Sequence, residues 1–152
     1  MYLCGVISDV YMSIMAEIQN LRDVVPEDAE MKVPSGGKWV DAQPAEFQSK
    51  ARNMACGLMV KGIRRGVAVS ILNASAAAVA FISFACALAH LQVKPASENN
   101  AGFVIDAAAG DVDYLVGIGS AWSGKYGYLV DRTLRQMVSG SSTPYHLTTL
   151  SR

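Results

Sequence analysis

The sequence predicts an α/β fold in which a partial parallel sheet is flanked by helices. A β-branched apolar run at 67–72 precedes a polar turn and an apolar stretch of helical length, which is typical of a buried strand leading into a helix. A second apolar run at 114–118 predicts another buried strand. An amphipathic pattern at 44–61 predicts a helix that covers such a sheet.

The composition fits one domain with a substantial core. The chain has 152 residues, of which 51% are hydrophobic and 17% are charged. Thirteen Lys and Arg residues balance thirteen Asp and Glu residues, and this zero net charge argues against a general nucleic-acid binder. Cys4, Cys56 and Cys86 form no C-x-x-C pair, which excludes a zinc ribbon and predicts reduced thiols in a cytoplasmic compartment.

The first part of the chain predicts a helix and a hairpin. A helix is expected over residues 1–25, ended by Pro26, because apolar residues recur there at helical spacing. These residues are Val10, Ile14, Ile18 and Leu21. Residues 31–41 predict a β-hairpin, with a turn at 34–37 that contains two glycines.

The helix at 44–61 has clear end signals. Pro44 suits the first turn, Glu46 complements the positive end of the helix dipole, and Gly62 is a typical residue just after a helix. We therefore expect the helix to end close to Lys61.

Residues 66–93 contain no Lys, Arg, Asp or Glu and allow two interpretations. The favoured one divides the stretch into a strand at 67–72 and a helix over 76–91 that Ser75 caps. The alternative is a membrane span over about 68–91, which would make the chain a single-pass membrane protein.

The second half of the chain predicts shorter elements. After a loop at Ser97–Asn100 we expect a short helix at 101–109, the strand at 114–118 and a loop at 119–124. A helix over 128–138 and a polar tail from 139 to 152 complete the chain. The strands at 67–72 and 114–118 should be parallel neighbours, because strands joined through helices usually pair in this way.

This pattern predicts three regions. They are an N-terminal helix and linker at 1–30, an α/β core at 31–118, and a loop, helix and tail at 119–152.

One string resembles a phosphate-binding loop. Gly119, Gly124 and Lys125 match G-x-x-x-x-G-K between a predicted strand and a predicted helix. Tyr126 stands where Ser or Thr should ligate Mg²⁺, so a turn of small residues is the favoured interpretation. We expect no specific binding of ATP and Mg²⁺ at Lys125.

No other pattern indicates a catalytic or metal site. His90 and His146 lie 56 positions apart, and neither has a Cys, His, Asp or Glu at the spacing of metal ligands. His90, late in an apolar helix, is expected to be a partly buried imidazole with a partner. We therefore assign no catalytic residue and no metal ligand from the sequence.

A series of short motifs extends over about half of the chain. They are Gly37–Asp41, Ala45–Phe47, Ala55–Leu58, Lys61–Gly66, Val69–Asn73, Phe81–Ala89, Val93–Pro95 and Tyr114–Val116. In kind and in order these motifs resemble the N-terminal part of AMP-forming acyl-CoA synthetases, in the adenylate-forming ligase superfamily, and most of all the long-chain fatty-acid branch.

The sequence departs from the family at several points. Val67 replaces an acidic residue, and His90 falls near the Gly that usually ends the second helix. The Thr- or Ser-rich phosphate loop ending in Pro-Lys-Gly is absent, as are the later adenine-binding and hinge motifs and the C-terminal domain. The family's catalytic and nucleotide-binding residues therefore have no counterpart here.

The resemblance implies a truncated or fragmentary relative of a ligase that is inactive alone. A complete family member would use ATP, Mg²⁺ and CoA to convert a fatty acid to acyl-CoA through an acyl-adenylate, whereas this chain by itself is expected to hold no cofactor. Its expected partners are the remainder of a ligase, a complementary chain or a second copy. A non-catalytic small domain and contact with a membrane surface remain open alternatives.

Overall fold

The computed structural model describes residues 14–18, 20–21, 24–26, 29–94 and 102–140. It contains five strands, namely β1 (Lys32–Ser35), β2 (Lys38–Asp41), β3 (Ala68–Leu72), β4 (Gln92–Val93) and β5 (Phe103–Asp106). Four helices come after the hairpin. They are α1 (Pro44–Val60) before β3, α2 (Ala76–Leu88) between β3 and β4, and α3 (Ala109–Ala121) and α4 (Ser123–Gly140) after β5.

The predicted N-terminal helix is present at residues 14–18 and 20, but it ends earlier than predicted, because residues 21, 24 and 25 lie in turns or a bend before Pro26. Ile14 and Ile18 are buried in the core, as the helical spacing predicts. Val10 and the rest of the helix before residue 14 lie outside the described residues, as do the loop at Ser97–Asn100, Cys4, His146 and the tail from residue 141.

The hairpin prediction is confirmed. β1 and β2 pair antiparallel, with Lys32 opposite Asp41 and Ser35 opposite Lys38. Gly36 and Gly37 have φ of 59° and 82°, so the two-residue turn uses the left-handed region that glycine enters without steric cost. The turn is therefore two residues shorter than predicted, because β1 continues through Ser35.

A cluster of aromatic rings joins the hairpin to the helices. Trp39 meets Phe81 edge to face with ring centroids 5.6 Å apart, and Phe47 meets the same ring at 5.5 Å. The indole Nε1 of Trp39 donates a hydrogen bond to the carbonyl of Ala107 at 3.1 Å. Such edge-to-face pairs add about 0.5–1.5 kcal/mol to the burial of the rings, so the hairpin is fixed against α1 and α2.

The favoured division of the uncharged stretch is confirmed. β3 ends at Leu72, and Ser75 caps α2 by accepting a hydrogen bond from the backbone nitrogen of Ala78 at 3.2 Å. The helix ends at Leu88, earlier than the predicted residue 91, because the chain turns there toward β4. Within the described part of the chain, no helix combines the length and apolar character that crossing a membrane requires.

The parallel sheet has the order β4-β3-β5, and this corrects two predictions. Residues 103–106 form a strand rather than part of a helix, and residues 114–118 lie inside α3 rather than in a strand. β3 therefore pairs with β4 and β5, and the predicted pairing of 67–72 with 114–118 is wrong.

The physical cause of both errors is visible in the burial pattern. Phe103, Val104 and Ile105 are aromatic or β-branched, and the burial of Ile105 between exposed neighbours has the period of a strand. In α3 the buried residues recur at helical spacing, whereas Tyr114 is exposed, which a buried strand would not allow. The helical set is Ala109, Val112, Leu115, Val116 and Gly119.

Helices α1 and α3 cross in very close contact. A Cβ added to Gly119 would collide with the carbonyl of Asn53 and lie 2.7 Å from the nitrogen of Gly57. A Cβ added to Gly57 would collide with the carbonyl of Leu115 in the same way. The two glycines therefore allow the backbones of the helices to touch.

Helix α4 packs against α1 and is held to it by an ion pair. The Arg52 guanidinium on α1 contacts both carboxylate oxygens of Asp131 on α4, at 2.8 Å and 3.0 Å. The predicted loop at 119–124 is wrong, because α3 continues to Ala121 and α4 begins at Ser123.

Candidate functional site

The structure does not give the G-x-x-x-x-G-K string the setting of a phosphate loop. Gly119 is buried inside α3, while Gly124 and Lys125 lie in the first turn of α4. A helix rather than a strand precedes the string, so the predicted strand–loop–helix context is wrong. The Lys125 ammonium lies over the Trp122 and Tyr126 rings, 6.0 Å and 5.3 Å from their centroids.

Cys56 and Cys86, the cysteines in the described part of the chain, are in surroundings that disfavour the thiolate. Cys56 and Cys86 are free and buried, and burial raises the pKa of the Cys86 thiol to about 12. Burial also raises the pKa of Cys56. Among the described residues, no group of three or more His, Cys, Asp and Glu side chains lies close enough together to hold a metal ion.

The residues that do converge form a cleft of about 420 Å³, here called the arginine cleft. It lies between the loop after α1, the end of α2 and the middle of α4. Its lining consists of Met59, Gly62, Ile63, Arg64, Arg65, Ala89, His90, Tyr126, Leu129, Arg132 and Thr133. The cleft is within the size range of small-molecule sites, which is about 300–1,000 Å³.

His90 ties two walls of the arginine cleft together. Its Nε2 lies 3.0 Å from Oγ1 of Thr133, and that hydroxyl donates its proton to the carbonyl of Leu129 at 3.2 Å. The carbonyl of Leu129 can only accept, so when the Thr133 hydroxyl donates to it, Nε2 of His90 is the donor to Oγ1. The expectation that His90 has a hydrogen-bonding partner is therefore confirmed, whereas the residue as a whole is exposed rather than partly buried.

The backbone of His90 is in an unusual conformation. Its φ is 61°, in the left-handed region that a residue with a Cβ seldom enters. Its carbonyl accepts a hydrogen bond from the nitrogen of Gly66 at 2.7 Å, which anchors the turn to the loop before β3. Left-handed backbone at a non-glycine residue costs about 1–2 kcal/mol and persists where the surrounding structure enforces it.

The polar side of the arginine cleft is strongly basic. Arg64, Arg65 and Arg132 contribute three guanidinium groups, and none of the side chains that line the cleft is acidic. Burial lowers the pKa of His90, and the charges of Arg65 and Arg132 lower it further. Within the described part of the chain, the three arginines form no salt bridge, although Arg132 stacks on the Tyr128 ring at 6.0 Å.

The lining of the cleft also includes apolar side chains. Met59, Ile63 and Leu129 supply aliphatic surface beside the guanidinium groups. An arrangement of this kind can bind an oxyanion through charge-assisted hydrogen bonds and an attached apolar group through burial.

Sequence reasoning did not find this cleft, because its three walls come from segments far apart in the chain. The signals present were the Arg64-Arg65 doublet and a histidine near a position where the resembling family has glycine. Neither signal reveals that Arg132 lies beside them, which depends on how α4 packs.

Comparison of the chain with protein-family models, with curated proteins and with solved structures found no match.

Proposed function

We propose that this chain is a truncated or fragmentary relative of the AMP-forming acyl-CoA synthetases that supplies part of the N-terminal α/β region and is inactive as a ligase alone. In this proposal it acts by joining the remainder of a ligase. The parent reaction is the ATP-dependent conversion of a fatty acid to acyl-CoA through an acyl-adenylate.

The left-handed turn at His90 supports the relationship. The motif order places this residue near the glycine that ends the second helix in the family, and its φ of 61° is one that glycine adopts freely. Descent from such a sequence, with the glycine replaced by histidine and the backbone turn retained, would explain this conformation.

The observation that carries the proposed association with another polypeptide is an open face of the parallel sheet. Ile71 and Ile105 lie opposite each other on the covered face and are buried. On the other face Leu72 and Val104 are 47% and 51% exposed, whereas Ser70, which lies opposite Val104, is buried, so the exposed surface is centred on Leu72 and Val104. Parallel sheets are normally covered on both faces, so this apolar surface is suited to a further layer of helix or sheet.

The test is the state of association of the purified chain. Without the remainder of a ligase, we expect the open face to drive self-association, which sedimentation velocity at micromolar concentration measures. Val104→Lys should shift the chain toward monomer, because it places a charge in that face. Tyr128→Lys is the matched control, since Tyr128 is 68% exposed on α4, and it should leave association unchanged.

A monodisperse wild-type monomer with one cooperative thermal transition at roughly 45–65 °C would contradict the proposal. Such a result would show that the chain is a complete domain. Equal effects of the Val104 and Tyr128 substitutions would also contradict the assignment of the surface.

The proposed lack of ligase activity has a direct test. Incubation of the chain with a fatty acid, ATP, Mg²⁺ and CoA should release no pyrophosphate. Titration calorimetry with ATP and Mg²⁺ should likewise show no specific binding. Micromolar binding that Lys125→Ala abolishes would revive the phosphate-loop interpretation, and pyrophosphate release would refute inactivity.

A further inference from the structure

We propose that the arginine cleft is a binding site for a small amphipathic oxyanion, a molecule with a carboxylate, sulfonate or phosphate head and a short apolar body. The head would contact the guanidinium groups, and the body would lie on the aliphatic side of the cleft. This inference does not depend on a relationship to ligases, because it rests only on the residues that converge in the cleft.

The charge arrangement selects an anion. Arg64 and Arg65 come from the loop after α1, and Arg132 comes from α4, so the fold brings like charges together from two segments. Like charges in one concave site repel each other unless an anion neutralises them. Guanidinium groups present forked donors that match the oxygens of a carboxylate, sulfonate or phosphate.

The apolar lining selects an amphipathic anion over a bare inorganic one. Met59, Ile63 and Leu129 lie along the same cleft as the arginines. Leu129 is 44% exposed, so an apolar ligand group would remove surface from water on binding. Arginines and apolar side chains line one concavity of about 420 Å³ here, whereas a basic patch that binds a membrane spreads its charges over a flat surface; the concave shape therefore favours a small molecule.

His90 gives the site a pH-sensitive donor. The charges that act on its ring are those of Arg65 and Arg132, and Oγ1 of Thr133 contacts Nε2; Arg64 and Tyr126 line the same cleft. Partial burial, together with the charges of Arg65 and Arg132, lowers the pKa of His90 and favours the neutral imidazole in the free protein. An anion in the cleft offsets the positive charges and favours proton uptake, so binding should strengthen as the pH falls through the His90 titration.

Hexanesulfonate is the probe for the first experiment, because its charge does not change over the pH range in which histidine titrates. We expect titration calorimetry to show saturable binding at one site. Inorganic sulfate, which has no apolar body, should bind at least about tenfold more weakly. Hexanoate and hexyl phosphate, compared at fixed pH, distinguish a carboxylate ligand from a phosphate ligand.

Substitutions assign the binding to the cleft. Arg132→Gln and the double substitution Arg64→Gln/Arg65→Gln should each weaken hexanesulfonate binding by about tenfold or more. Lys125→Gln is the matched control: it removes one positive charge from the same helix as Arg132, outside the cleft, and should leave binding nearly unchanged. All three arginines are exposed, so their replacement should not disturb the core. Circular dichroism checks that each variant is folded.

The second readout is the titration of His90 followed by NMR. The imidazole signal of His90 is identified as the one that is missing in His90→Asn. Saturating hexanesulfonate should raise the pKa of His90, and calorimetry should show tighter binding at pH 5.5 than at pH 8, with the difference reduced in His90→Asn.

Several outcomes would overturn the proposal. These are no saturable binding at millimolar hexanesulfonate, equal loss of binding in Lys125→Gln and Arg132→Gln, and an unchanged pKa of His90 at saturation. Binding to vesicles of anionic lipid without any binding of hexanesulfonate would assign the arginines to a membrane surface instead.

Discussion

The crossing of α1 and α3 makes a sharp prediction about Gly119. The change Gly119→Ala adds one methyl group at a point where the two backbones touch. That carbon would lie 2.7 Å from the Gly57 nitrogen and would overlap the Asn53 carbonyl, whereas ordinary contacts of a Cβ begin at 3.4 Å. Because both neighbours are backbone atoms, no change of side-chain rotamer can relieve the contact.

The magnitude follows from the separation that the helices must undergo. They must move apart by on the order of 1 Å, and overpacking of a core in this way costs about 1–3 kcal/mol or more. Alanine gains about 0.5–1 kcal/mol over glycine within a helix. We therefore expect Gly119→Ala to lower the free energy of unfolding by about 2 kcal/mol, which corresponds to a decrease in Tm of roughly 4–8 °C.

Gly117→Ala is the matched control, because it lies in the same helix and an added Cβ there meets nothing within 4 Å. This substitution should raise the free energy of unfolding by about 0.5–1 kcal/mol through helix propensity alone. Thermal and urea unfolding followed by circular dichroism measure both variants. If Gly119→Ala proved as stable as Gly117→Ala, the close crossing of α1 and α3 would be refuted.

Three further predictions concern single groups. Ser83→Ala should stabilise the protein by about 1 kcal/mol in urea unfolding, because its buried hydroxyl has no hydrogen-bonding partner among the described residues; a loss of stability would contradict this. The Arg52 guanidinium, chiefly through its hydrogen bonds, lowers the pKa of Asp131, so this pair should stabilise the protein above about pH 4 and lose its contribution as the pH falls further. Asp131→Asn should therefore cost less than about 1 kcal/mol at pH 7 and almost nothing at pH 2.5, and an equal cost at both values would refute the assignment. Iodoacetamide should leave Cys86 unmodified in the native protein at pH 8 and modify it in urea, as mass spectrometry of its peptide can show; rapid native modification would contradict its burial.

Local signals allowed correct prediction of the main elements between residues 29 and 94. The hairpin follows from two glycines between short apolar segments, and α1 follows from a proline at its start and a regular apolar face. The division between β3 and α2 follows from β-branched residues, a polar turn and the Ser75 cap. Each of these features depends on neighbours in the chain, which a sequence displays directly.

The second half was predicted less well, because its apolar segments are short. A run such as Phe103–Asp106 or Tyr114–Ile118 fits a strand or one turn of a helix, and the choice depends on what packs against it. Residues 103–106 become a strand because β3 offers them an edge to pair with. Residues 114–118 are helical because α3 packs closely on α1, where Gly57 leaves room for the backbone of Leu115.

The sequence by itself determined an apolar α/β chain with balanced charge, a glycine hairpin, a capped helix after a buried strand, and no local metal or nucleophile motif. Only the tertiary structure decided that β5 pairs with β3, that Gly119 serves helix packing, and that Arg64, Arg65 and Arg132 line one cleft with His90. The physical reason is range: caps, turns and periodicity act between residues a few positions apart, whereas the cleft and the helix crossing depend on backbone segments that meet only when the core closes.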